Sequence, residues 1–144
     1  MNATSATMTI DKIHSTADSI KHNEERDCTA MIPGDPPVRQ GDVYVWALPE
    51  IPEGCSLVKQ PVAQVAPGTT RGSRHRIRDM ASVTVYSLPS PNALQGPVLH
   101  SQDGWALDHG DGEVDDHAPC RFGPGVHLIT YQRDHAEELR RVAD

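Results

Sequence analysis

The sequence has no apolar run near the roughly 20 residues needed to span a bilayer, which excludes a membrane-spanning helix. It has no closely spaced cysteine pair either. Cys28, Cys55 and Cys120 are odd in number and far apart, so three reduced thiols and a cytoplasmic setting are expected. No basic region followed by an apolar stretch opens the chain, so no secretory signal is expected. Basic residues are scarce: 13 Lys and Arg stand against 20 Asp and Glu, a net charge of −7. Direct nucleic-acid binding is therefore disfavoured, because phosphate neutralisation needs clustered cations. Nucleophile elbows, phosphate-cradling glycine loops, dinucleotide fingerprints and paired-histidine metal motifs are all missing.

What is present points to β structure. Twelve Pro and 11 Gly interrupt any long helix and suit short strands joined by turns. Val43–Leu48 is dense in β-formers, follows Gly41-Asp42 and ends at Pro49. Leu57 to Val65 is a weaker strand whose Pro61 suits a sheet edge. Ser73 to Ile77 and Ser82 to Tyr86 are further candidates. Val98-Leu99-His100 and Trp105-Ala106-Leu107 flank Asp103-Gly104, a pattern that predicts a β-hairpin. After an acidic loop from Asp108 to Asp116, Val126 to Tyr131 is the clearest strand of all. Its alternation puts His127 and Ile129 on one face and Leu128 and Thr130 on the other. About seven short strands with regular turn signals predict an all-β fold, a small barrel or sandwich.

The ends differ from this middle. Residues 1–37 contain no aromatic residue and close on Pro33-Gly34-Asp35-Pro36-Pro37, so a flexible N-terminal arm is expected, with the compact β domain spanning 38–144. Within the arm, Ile10, Ile13, Ala17 and Ile20 recur at helical spacing and mark a docking helix over 9–25. At the other end, Asp134 as cap, acidic residues in the first turn and Arg140-Arg141 in the last predict a helix over 134–142.

Three groups of residues are candidates for function. Arg71, Arg74, Arg76 and Arg78 fall within eight positions and could fork onto the carboxylates of an acidic partner, or simply form a solvated face. His75, His109, His117 and His127 are the candidates for a single divalent metal, with scattered hydrogen-bonded histidines as the plainer alternative. Cys120 lies close in sequence to His117 and next to Arg121, where a cation could lower its pKa.

The stretches Arg39-Gln40-Gly41-Asp42-Val43 and Gly72-Ser73-Arg74-His75-Arg76-Ile77, with Pro124-Gly125-Val126 and Gln132-Arg133-Asp134, resemble a group of small bacterial and phage-borne proteins without established activity. The resemblance implies an all-β fold and little else. Arg74 stands where that group has the first histidine of its middle motif, which weighs against a metal there. The function expected is a non-enzymatic binding or assembly module without a cofactor. It would contact a protein partner, or a second copy of itself, through the arm and exposed strand edges, in the cytoplasm or, if phage-encoded, in a virion. The alternatives are a cupin-like metal-dependent enzyme and an acidic inhibitor acting on a nucleic-acid-binding protein.

Overall fold

The computed structural model describes residues 25–66, 75–110 and 118–133. The docking helix expected over 9–25 lies almost wholly outside them, and the helix expected over 134–142 lies entirely outside them. Ten strands run in chain order: β1 (Arg26–Cys28), β2 (Val38–Gln40), β3 (Val43–Leu48), β4 (Ser56–Leu57), β5 (His75–Ile77), β6 (Thr84–Ser87), β7 (Gln95–Ser101), β8 (Trp105–His109), β9 (Cys120–Phe122) and β10 (Gly125–Tyr131). They form two sheets, ordered β1-β9-β8-β5 and β2-β3-β10-β7-β6-β4. The described residues are thus all-β, and their strands close no barrel. Among the described residues no helix is long and apolar enough to cross a membrane.

The strands form where side chains of alternate parity can be buried. In β3, Val43 and Val45 are fully buried; in β10, Val126 apart, the buried positions are His127, Ile129 and Tyr131. These meet Ile77, Trp105, Leu107, Cys120 and Phe122 of the smaller sheet in a single core cluster, so the inner faces of both sheets share one interior. The alternation expected for Val126 to Tyr131 is therefore correct: His127 and Ile129 face the core, and Leu128 and Thr130 face away.

Three expectations change. Asp103-Gly104 does not close a hairpin, because β7 pairs with β10 and β6 while β8 pairs with β5 and β9. The turn carries the chain from one sheet to the other. Ser101 stabilises it, its Oγ accepting from Gly104 N–H at 2.9 Å and lying 2.8 Å from the carbonyls of Ser82 and Gly104. Gly104 is needed there: its φ is +104°, and a Cβ would stand 2.7 Å from the Phe122 carbonyl. Secondly, Leu57 to Val65 is not one strand. Only Ser56–Leu57 pairs in the larger sheet, with β6. The chain then crosses to the smaller sheet, where Val65 N–H donates to His75 O and Ile77 N–H to Ala63 O, covering the β5 edge. Thirdly, residues 25–37, placed with the arm by composition, contribute β1, which runs parallel to β9.

The link between β3 and β4 also matters. Three strands, β10, β7 and β6, lie between them, yet only residues 49–55 join Leu48 to Ser56. Four inter-strand steps are about 19 Å at the usual spacing, close to what seven residues can cover. So short a link must take a direct path. On the face away from the core, Val98 is fully buried although it takes no part in the core cluster.

Candidate interaction face

The outer side of the larger sheet is apolar as well as the inner. Register pairs Trp46 with Leu128, Leu128 with Val98, Val98 with Tyr86 and Tyr86 with Leu57, a straight row across five strands. Val98, at the middle of this row, is fully buried. The β2–β3–β10 end stays open, and there Trp46 is 38% exposed. Its indole Nε1 donates to Thr130 Oγ1 at 2.8 Å, which holds the ring against β10. One position along, Arg39, Tyr44 and Thr130 lie opposite one another on the same face. The Arg39 guanidinium stands 6.0 Å from the Tyr44 ring centroid, within cation–π range. Its Nη2 donates to Gln132 Oε1 at 3.0 Å and its Nε to Gly41 O at 2.8 Å.

This placement concerns half of the aromatic residues. The chain has six: 2 Trp, 3 Tyr and 1 Phe. Trp105, Phe122 and Tyr131 serve the core, whereas Tyr44, Trp46 and Tyr86 sit on the outer row. By composition Tyr44 and Trp46 mark only a strand. The available signal was Val43-Tyr44-Val45-Trp46, where both parities are apolar although an antiparallel sheet over a single core needs only one.

The histidines have other roles. His75 and His109 do meet, as registered neighbours of β5 and β8 with ring centroids 4.6 Å apart at 71°. His75 Nδ1 lies 2.9 Å from Gln40 Oε1, and Gln40 Nε2 donates to the carbonyls of Leu107 at 3.0 Å and Ala118 at 3.1 Å. Those two carbonyls orient the amide, so its oxygen faces His75 and the Nδ1 there carries the proton. His127 does not join them. Its Nδ1 accepts from Trp105 Nε1 at 3.1 Å, which makes the neutral ring an Nε2–H tautomer. Burial lowers its pKa to about 4. Among the described residues no group of three or more His, Cys, Asp or Glu is placed to hold a metal ion. His117 lies outside them.

The arginine cluster is likewise divided. Arg71 and Arg74 lie outside the described residues, as do Ile10, Ile13, Ala17 and Ile20. Arg76 is exposed on β5. Arg78 forks onto Asp108 at 2.8–3.2 Å and pairs with Glu25 at 2.7 Å, so its charge already has two internal partners. The Asp108 bonds, ahead of the Glu25 ones, raise its pKa despite partial burial. Glu25 also reaches Arg121 at 3.6 Å, and Arg121 reaches Asp27 at 3.8 Å. Arg78 and Arg121 also line a cleft of about 300 Å³, together with Asp79, Asp103 and Ala106, and each already has a carboxylate partner. Cys120 is fully buried, and burial pushes its thiol up to about 11, so the lowering expected from a neighbouring cation is overridden.

A family known as a domain of unknown function (DUF8820) matches residues 39–132. The chain belongs to that family. The match begins at Arg39 and ends at Gln132, the two residues joined by a hydrogen bond at the rim of the Tyr44–Trp46 face. No curated protein matches the chain, and no solved structure does.

Proposed function

We propose that this DUF8820 domain is a non-enzymatic binding or assembly module that holds another protein on the face formed by Arg39, Tyr44, Trp46 and Leu128. The supporting observation is the division of the aromatics. A chain with so few of them has Tyr44, Trp46 and Tyr86 outside its core, and the open end combines Trp, Tyr and Arg. Those three residue types dominate binding hot spots, since they offer large rigid contact area with a polar handle. The face is taken as the main contact ahead of the strand edges. Of the four edge strands, β4 pairs over only two residues and the β5 edge is covered, so these two are poor templates for a partner strand. The setting proposed is the cytoplasm of a bacterium, or a virion if the gene is phage-borne, in line with the resemblance noted above.

Selection of random 12-residue peptides displayed on phage, on wild type and on Trp46→Ala in parallel, tests this. Enrichment that depends on Trp46 supports the module; enrichment indifferent to Trp46, or none at all, overturns it. The metal-enzyme alternative has the His75–His109 contact in its favour, and the attachment of His127 to Trp105 against it. Elemental analysis after dialysis into metal-free buffer tests that alternative, stoichiometric retained metal being its signature.

A further inference from the structure

The binding reading leaves open what kind of protein segment the face takes, and this inference rests on that reading. The charges at the rim decide between candidates. On the outer side of the smaller sheet, Arg78 and Arg121 are matched by Glu25, Asp27 and Asp108. At the β2 rim of the larger sheet the pattern differs. Arg39 donates to two neutral oxygens, those of Gly41 and Gln132, and among the described residues no carboxylate pairs with it. Arg26 reaches the same corner, its Nη1 donating to Arg39 O at 2.6 Å, again a neutral acceptor. Arg133 follows Gln132 directly and is exposed. Asp42, whose carbonyl accepts from Gln132 N–H, is the acidic residue nearest in the ladder, beside the guanidinium groups of Arg39 and Arg26. The corner is thus a cationic exception on a chain of net charge −7. It lies beside the aromatic face, joined to it by Arg39 over Tyr44.

We infer that the occupant of the Trp46 face is an acidic segment of another protein, with an apolar or aromatic anchor set on Trp46 and Leu128 and carboxylates beside it reaching Arg39 and Arg133. A guanidinium bonded only to neutral oxygens keeps its full charge and gains a charge-assisted bond when a carboxylate arrives. A second copy fits less well, because two chains of net charge −7 repel each other.

Two biased peptide libraries displayed on phage test the inference on the full chain. Both carry a random apolar triplet, flanked by Asp and Glu in one library and by Lys and Arg in the other. The acidic library is expected to enrich on wild type, to lose enrichment at least tenfold on Arg39→Glu and on Arg133→Glu, and to weaken about fivefold from 0.1 to 0.4 M salt as screening shortens the reach of the charges. Arg133→Glu alters an exposed side chain with no role in the ladder, so it keeps the test valid if Arg39→Glu misfolds. Enrichment from the basic library, or equally from both, overturns the acidic occupant while leaving the Trp46 face in place. Enrichment from neither, or enrichment unaffected by Trp46→Ala, overturns both. A dimer by light scattering that is lost on Trp46→Ala also overturns the inference in favour of self-association.

Discussion

The outer sides of the two sheets present opposite solutions to the same exposure. On the smaller sheet, Arg78, Arg121, Glu25, Asp27 and Asp108 form ion pairs across β1, β8, β9 and the end of β5, and the surface neutralises itself. On the larger sheet, an exposed Trp46 and a half-buried Tyr44 stand beside guanidinium groups that meet only neutral acceptors. A surface that satisfies its own charges has little left for a partner. One that leaves aromatic area and unpaired charge in reach is chemically incomplete alone. The contrast is what supports the contact proposed on the larger sheet.

The contrast is sharpest between the two tryptophans. Trp105 is 3% exposed, stacks on Phe122 at 4.6 Å and bonds His127, whereas Trp46 is 38% exposed. Trp105→Ala is expected to cost about 3–5 kcal/mol of stability, measured by urea unfolding, through the cavity and the lost hydrogen bond. Trp46→Ala is expected to cost under about 1.5 kcal/mol in the same assay, because half-exposed area is removed without a cavity. Equal losses would remove the distinction between core and contact aromatics.

Acid should attack the core and spare the faces. His127 has a folded pKa near 4, lowered by burial, against 6.5 for the free side chain. The unfolded chain therefore takes up the proton first, and stability falls as pH drops from about 6.5 to 4, then levels off for this group. The difference corresponds to roughly 3 kcal/mol at 1.36 kcal/mol per pKa unit. Urea midpoints at pH 7.5, 5.5 and 4 should show the loss in wild type and a much flatter dependence in His127→Gln.

The corner between the sheets comes next. Gly104→Ala should cost about 1–3 kcal/mol, since it combines a positive φ with a Cβ too close to the Phe122 carbonyl. Gly34, also at positive φ but with open space around it, should tolerate Ala at about 1 kcal/mol or less. Thermal unfolding of the two variants side by side checks this. The smallest effect is expected from the charge network. Glu25→Gln should lower stability by at most about 1 kcal/mol, and by less at high salt, because its partners are roughly half exposed. A larger, salt-insensitive loss would mean that Glu25 anchors β1 in a way surface pairing does not explain.

Much of the fold could be read from local pattern. Val43–Leu48 has the bounds expected from its β-formers and flanking turn residues, and Val126 to Tyr131 differs from β10 only by Gly125. The choice of face within β10 followed from parity alone. Partner choice did not. Asp103-Gly104 has the composition of a hairpin turn, but whether two flanking strands pair depends on which third strand competes for them, and β10 takes β7. β1 and β9 are not legible because Arg26-Asp27-Cys28 and Cys120-Arg121-Phe122 are too short for a periodic signal; β9 becomes a strand by pairing with β8, and β1 by pairing with β9. The candidate site was half legible. Arg39 and Gln132 stand in the resembling stretches, but nothing local tells that Trp46 stays 38% exposed while Val98 in the same row is fully buried.

By itself the sequence determined the class of the molecule: all-β, acidic, with strands set by alternating β-branched and aromatic residues and ended by Pro and Gly. These are local effects of backbone sterics and of side chains two positions apart, and neighbours along the chain carry them. Tertiary structure alone decided which strands pair, that His75 meets Gln40 and His109 while His127 meets Trp105, and that Arg78 is neutralised while Arg39 is not. Each of those outcomes depends on groups tens of residues apart reaching hydrogen-bond or ion-pair distance, and only the packed sheets bring them there.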